Sequence, residues 1–383
     1  MHITDDIRYV GVNDHVIDLF EGLYPVPDGV AYNSYVIMDE KIAVMDAVDA
    51  HFGGTWLGNV RQALNGRQPD FLVVHHMEPD HSASIALFMG AFPEAVIVAS
   101  AKAFPMMKAF FNADYADRRI IVKEGDVLSL GKHTLRFISA PMVHWPEVIM
   151  TYDTTEKVLF SADGFGKFGA LDVEEEWACE ARRYYFGIVG KYGAQVQSEL
   201  KKAAALDIQT ICPLHGPVLQ GEALLSALRL YDIWSSYKAE DEGVVIVHAS
   251  VYGNTRAAAE LLAESLRTRG VKTVVHDLNR CDVAEAVEDA FRYDRLVLAS
   301  VTYNADLFPT MKNFLHWLTE RCYRNRTVGL IENGSWAPMA GKIMRGMLEN
   351  SKDVTILDPV VKITSALNDD SIAQLQTLAD ALV

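Results

Sequence analysis

The sequence is poor in the features that announce the commoner functions. Its four cysteines, Cys179, Cys212, Cys281 and Cys322, are scattered and form no Cys-x-x-Cys pair. That spacing excludes a disulfide framework, a cysteine zinc site and an iron–sulfur cluster, and it suits a reduced, cytoplasmic protein. No basic run exceeds a pair such as Lys201-Lys202, and the formal net charge is −16. Nucleic acid and anionic membrane are therefore poor partners. No apolar stretch approaches the ~18 residues of a membrane span. The opening Met1-His2-Ile3-Thr4-Asp5-Asp6 lacks the basic-then-apolar pattern of a signal peptide. What remains is an ordinary globular balance, half hydrophobic and 22% charged, over 383 residues. That length allows two domains, each with its own core.

The densest chemistry lies in His76-Met77-Glu78-Pro79-Asp80-His81, where the apolar Phe71-Leu72-Val73-Val74 runs out. The four apolar residues read as a buried strand, so the cluster is placed on a loop at a strand's carboxyl end. Imidazole and carboxylate are the usual ligands of divalent iron, zinc and manganese. Taken alone, the cluster reads equally well as a solvated acidic turn. Around it the pattern alternates. A strand pair is expected at Tyr35–Met38 and Ile42–Met45, then a helix through Trp56, Leu57, Val60 and Leu64 that stops at Asn65-Gly66. A short helix from Ser82, a strand at Ala95–Val98 and a helix at Phe104–Phe111 follow. Short strands come next at Ile120–Val122, Val127–Leu130, Thr134–Ile138, Val148–Tyr152 and Val158–Phe160. Two strand-rich passages with helices between them predict layered sheets with helices outside.

Three more ionisable residues follow predicted strands: His144, Asp163 and His215. Each alone is more often a capped turn or a surface side chain. Together they share one placement, the strand end, and residues from several strand ends meeting at one rim are how sheet proteins build metal sites. The ordered set His76-x-Glu78-x-Asp80-His81, His144, Asp163, His215 resembles the metallo-β-lactamase-fold domain of flavodiiron proteins (A-type flavoproteins), over most of residues 1–240. The resemblance implies an αββα sandwich holding two irons. His76, Glu78 and His144 would serve one iron, Asp80, His81 and His215 the other, and Asp163 would bridge them. Zinc hydrolases of that fold typically carry His where this chain has Glu78, and oxygen-rich ligation favours iron or manganese. Each ligating His is expected to be oriented by an acceptor on its other ring nitrogen. His75 falls on the opposite face and stands outside the set.

Residues 174–205 and 222–237 read as helical, and the charged Lys238-Ala239-Glu240-Asp241-Glu242-Gly243 as a linker. The domains are accordingly expected at 1–240 and 243–383. After the linker, strands at Val244–His248, Thr273–His276, Leu296–Ser300, Val328–Ile331 and Val354–Leu357 alternate with helices at Arg256–Thr268, Ala284–Phe291, Met311–Cys322, Gly341–Leu348 and Ser371–Leu382. That alternation predicts a doubly wound, parallel five-stranded sheet with ligands at the carboxyl ends of its strands. The first strand empties into Ser250, Val251, Tyr252, Gly253, Asn254 and Thr255. This loop has neither the P-loop lysine nor Gly-x-Gly-x-x-Gly, which disfavours nucleoside triphosphates and dinucleotides. Alone it reads equally as an Asn-capped helix start. With the loops Thr302-Tyr303-Asn304 and Asn333-Gly334-Ser335-Trp336, the block resembles a flavodoxin domain. The resemblance implies FMN, with its phosphate on 250–255 and its ring bordered by the other two loops.

The combined reading is a flavodiiron oxidoreductase that reduces dioxygen to water, nitric oxide to nitrous oxide, or both. The family implies a diiron centre, FMN as relay and a separate donor, usually a rubredoxin. The rival reading is a dizinc hydrolase with a flavodoxin appendage, which Glu78 opposes. Gas preference is expected to rest on residues such as Tyr24 and Trp145. FMN at the carboxyl ends of the strands would face away from the linker, roughly 17 Å along the first strand. A head-to-tail homodimer, or a dimer of such dimers, is therefore expected, with Trp336 lying between flavin and irons.

Overall fold

The computed structural model describes residues 3–383; Met1 and His2, the first residues of the expected N-terminal domain, lie outside it. The chain divides into two compact units. One runs to Tyr185 and resumes at Ala194–Asp232; the other joins Phe186–Gly193 to Ile233–Val383.

The first unit holds two six-stranded sheets. In one, Ile7–Tyr9, Tyr35–Ile37, Ala43–Met45, Phe71–Val73, Val96–Ser100 and Arg119–Val122 lie side by side. In the other the order is Val127–Ser129, Thr134–Ser139, Ile149–Asp153, Val158–Phe160, Thr210–Cys212 and Leu219–Gln220. Side chains of alternate residues from both sheets make one buried cluster: Ile37, Met45, Val73 and Val98 meet Leu135, Phe137, Ile149 and Phe160. Fully burying each such side chain contributes about 1.5–3 kcal/mol, which fixes the register of both sheets face to face.

Two expectations here are corrected. The helix after the polar cluster starts at Pro79, not Ser82. Proline lacks the N–H that a first helical residue leaves unpaired, so Pro79 opens this helix rather than merely ending the strand. Asp80 and His81 consequently sit on a helical turn instead of a loop. Residues 174–205 are also not one helix. Trp177–Tyr184 is α-helical, Tyr185–Val189 is a π-turn, Gly190–Tyr192 is 3-10, and α-helix resumes at Gly193–Ala203. Gly187, Gly190 and Gly193 weaken the α-helix where it breaks.

The second unit is a parallel sheet ordered Thr273–Asp277, Asp241–Ala249, Tyr293–Tyr303, Arg326–Asn333 and then an interrupted fifth strand. Val354–Ile356 pairs with the start of Arg326–Asn333 and Val361–Ile363 with its end. The helices fall where the sequence places them. The linker is shorter than read, because Asp241, Glu242 and Gly243 already belong to the first strand. Their charge is absorbed locally: Asp241 meets Arg292 at 2.9 Å and Lys272 at 3.1 Å, and Gly243 donates to Asp294 at 2.8 Å.

Candidate metal centre and flavin cavity

Four strands deliver the metal-ligating side chains. Val158–Phe160 and Thr210–Cys212 are parallel, with Phe160 opposite Cys212. Three residues past each paired position stand Asp163 and His215. Backbone bonds keep the exits together, Ser161 donating to Cys212 (3.2 Å) and Leu214 to Ala162 (2.9 Å). Phe71–Val73 delivers His76 to His81, and Ile149 donates to the His75 carbonyl at 3.1 Å, tying the two sheets at this rim. His144 comes from the loop after Thr134–Ser139.

The seven residues gather in two groups that meet at one carboxylate. His76 Nε2 lies 3.2 Å from Glu78 Oε2 and 3.3 Å from His144 Nε2. His81 Nε2 lies 2.9 Å from His215 Nε2 and 3.2 Å from Asp80 Oδ2. Asp163 faces both groups. Its Oδ2 is 3.1 Å from His144 and 3.3 Å from His76, while Oδ1 is 3.4 Å from His81 and 3.8 Å from His215. Both groups are buried or nearly so.

The electrostatics are those of a cation site. Burial disfavours charge on His144, yet Asp163 and Glu78 raise its imidazole to about 9. His76 and His81 are raised against burial in the same way, the first by Asp163, Glu147 and Glu78, the second by Asp80 and Asp163. Burial would raise Asp163, but His76, His144 and His81 hold it well below the usual carboxylate range. Both Asp80 oxygens and Asp163 Oδ1 are buried without a hydrogen bond. Buried carboxylate oxygens are costly unless a cation pairs with them, so the donor set fits two metal ions.

Partners behind the ligands explain the ring orientations. Glu147 Oε1 lies 2.8 Å from His76 Nδ1 and also accepts the Met77 N–H at 2.9 Å. His215 Nδ1 donates to the Ala31 carbonyl at 2.8 Å, which turns its Nε2 lone pair to the site. The expected acceptor fails at His81, whose Nδ1 is buried with no hydrogen bond. His75 does point away: it pairs with Asp46, contacts Thr151 Oγ1 at 2.8 Å, and stacks on Phe160. Trp145 packs edge-on against His76 at 5.1 Å and near His144 at 6.0 Å. Tyr24 is one ring further out, against Phe168. Residues that sequence reasoning missed include Glu147, Phe20 and Tyr184, the last two packed on His215 at 5.4 and 5.5 Å. Glu21 was missed too; burial and the neighbouring Glu78 push its carboxyl up to about 7. Phe20, Glu21 and Tyr184 come from segments distant in sequence, and Glu147, three residues past His144, gives no sign in the sequence of its reach to His76.

In the second unit, the loops at 250–255, 301–305 and 333–337 enclose a cavity of about 460 Å³. Every expected contact residue lines it except Gly253, whose φ of 91° starts the helix Asn254–Thr268 without a side-chain cap. Its first amides are thereby left open, as an anion requires. Asn333 donates to Thr255 Oγ1 at 3.3 Å, freeing that hydroxyl's hydrogen. Tyr252 and Trp336 are 94% and 83% exposed, leaving flat aromatic surface at the mouth. A phosphate bearing a flat ring system fits. Thr302 differs from expectation in one respect: its hydroxyl accepts the Met339 and Ala340 amides, capping a helix. Ser365, unforeseen, joins the cavity by bonding Asn333 and Ser335.

The domain pattern agrees. Residues 30–216 match the ODP family beta lactamase and residues 246–373 match flavodoxin. The chain is 26% identical to the solved rubredoxin oxygen:oxidoreductase of Desulfovibrio gigas, with TM-score 0.92 over 100% of this chain and 97% of that one. It is 25% identical to the flavodiiron protein of Giardia intestinalis, with TM-score 0.91 over 99% and 95%. The chain belongs to the flavodiiron family. Another relative is the nitric oxide reductase of Moorella thermoacetica, 29% identical over 93% of this chain and 91% of that protein. The seven residues that the resemblance nominates as ligands, Glu78 included, all lie in the two groups that meet at Asp163.

Proposed function

We propose that this flavodiiron chain reduces dioxygen to water, nitric oxide to nitrous oxide, or both, with electrons from an external rubredoxin-type donor. The observation that carries the reading is Asp163, with one oxygen turned to each of two ligand groups, on the same chain as a flavin-type cavity. The D. gigas relative is a rubredoxin oxygen:oxidoreductase, and the M. thermoacetica relative is a nitric oxide reductase. When bound, FMN supplies one-electron relay and two irons supply gas binding and reduction. His76, Glu78 and His144 would hold one iron, Asp80, His81 and His215 the other, with Asp163 between them. Glu147 and the Ala31 carbonyl fix the ligand rings, and the aromatic side chains Phe20, Trp145 and Tyr184 shield the ligands from water. Ser250 to Thr255 would take the flavin phosphate. Tyr303 and Trp336 would flank the ring.

Among the described residues no helix is long and apolar enough to cross a membrane. With the cysteine usage, this supports a cytoplasmic setting. The domain limits 1–240 and 243–383 and a head-to-tail dimer belong to the same proposal. The linker enters the second unit at Asp241, and the cavity opens beyond Ala249, nine residues on and roughly 30 Å away. A flavin there faces away from its own linker, so a second chain is the natural acceptor. Anaerobic turnover with reduced rubredoxin and each gas, alongside metal analysis, tests the reading. Iron with gas consumption supports it; two zinc ions with hydrolase activity and no gas consumption would overturn it.

A further inference from the structure

A second set of metal-ligating side chains lies at the opposite end of the strand that leads toward His144, and the redox reading does not use it. Asp6, His133 and Glu156 each present one ligand atom, all within 4.8 Å of one another. They arrive from three segments. Asp6 precedes Ile7–Tyr9 of the first sheet, His133 precedes Thr134–Ser139 of the second, and Glu156 lies in the turn after Ile149–Asp153. Six strand residues separate this point from the other strand end, on the order of 20 Å. The set is thus distinct from the centre built around Asp163.

The histidine is held as metal ligands are held. His133 is fully buried, and its Nδ1 lies 2.8 Å from the buried Asp153 carboxylate. That partner leaves Nε2 facing Asp6 Oδ2 at 3.3 Å. The His133 backbone N–H donates to Asp39 at 2.7 Å, so ring and backbone are both fixed. Asp153 also accepts the Thr155 and Glu156 amides, at 3.1 and 3.4 Å, and so sets the turn that carries Glu156. A carboxylate behind a histidine, orienting it and raising its basicity, is the usual support of a metal-bound imidazole. Glu156 Oε2 is buried with no hydrogen-bond partner. Its other oxygen lies 3.5 Å from Lys132 Nζ, which also pairs with Asp6. The Lys132 side chain is 58% exposed, so its ammonium leaves for water at little cost.

The geometry points to a further metal site, formed by Asp6, His133 and Glu156, for one divalent transition ion of the zinc class. One imidazole and two carboxylates match that class, and their two negative charges balance the ion. Lys132 is its competitor, standing in for the ion when none is bound. A bound ion would tie the leading segment of the first sheet to two segments of the second. It would act as a structural clamp.

The test uses iron-loaded holoprotein dialysed against zinc, with iron and zinc both measured per chain. Wild type is expected to take up one zinc ion with its iron retained, and to gain thermal stability. His133→Gln and Glu156→Gln should both lose that uptake. Lys132→Met removes a like charge and should tighten zinc by roughly tenfold or more. Using two separate ligand variants guards against misfolding of His133→Gln. Equal zinc uptake in wild type, His133→Gln and Glu156→Gln overturns the inference. So does the absence of uptake, with iron retained, in both wild type and Lys132→Met.

Discussion

Asp163→Asn removes negative charge from both ligand groups at once, whereas His81→Asn removes one ring from one of them. Asp163 Oδ2 and Oδ1 reach His144 and His81 at 3.1 and 3.4 Å. His81 is also the ligand whose Nδ1 has no hydrogen bond. Metal analysis of the two variants should therefore find a much larger loss in Asp163→Asn, with water replacing the missing ring in His81→Asn. Equal losses would count against the bridge. Protonation gives a second prediction. His144 is raised to about 9, above its unfolded value near 6.5, with His76 and His81 raised alongside it. The stability that these charged imidazoles confer on metal-free protein is full below about pH 6.5 and is lost as pH rises toward 9. Metal must displace the same protons, so its affinity should climb over that interval. Melting of metal-free protein that is flat across the interval would contradict this.

Elements were legible where their periodicity was long. The helices at 254–268 and 309–320 and the strand at 326–333 carry sustained apolar patterns that the sequence displays directly. Short elements were less legible. Pro79 reads as a breaker until its place at the first helical position is known, and the glycines at 187, 190 and 193 split a helix that composition favours. The candidate ligands stand out because their types and order are conspicuous, and the structure brings them together, while the reach of Glu147 and the Ala31 carbonyl to the histidine rings depends on tertiary approach. Arg326 belongs with the hidden features. It is buried, and donates to the carbonyls of Tyr293 (2.7 Å), Tyr237 (2.9 Å), Lys238 (3.2 Å) and Phe291. Arg326→Met removes the donors it gives to those carbonyls, although Tyr237's keeps the Asn325 amide at 3.2 Å, and should cost the flavodoxin unit about 3 kcal/mol or more. Denaturant unfolding followed by flavin release should show the loss, with bound iron unchanged. A shift under 1 kcal/mol would show that water replaces the guanidinium, at the scale of ordinary surface changes.

At the scale of the whole molecule, a chain folded as two units needs its electron path completed. If flavin and metal come from different chains, two dead variants should complement each other. His76→Ala with Asp163→Ala disables the metal centre, and Ser250→Ala with Thr255→Ala disables the flavin site. A mixed dimer keeps one intact flavin facing one intact metal pair, so gas consumption should return on subunit exchange. Mixtures that stay inactive although heterodimers form would place transfer within one chain. The central claim, that flavin electrons leave through the centre bridged by Asp163, is tested most directly by stopped flow. Fully reduced holoprotein is mixed with dioxygen or nitric oxide, and flavin absorbance is followed in wild type and Asp163→Asn. Rapid flavin reoxidation in wild type with at least one gas, slowed by orders of magnitude in Asp163→Asn with flavin still bound, is the result predicted. Equal reoxidation rates in the two proteins would contradict it.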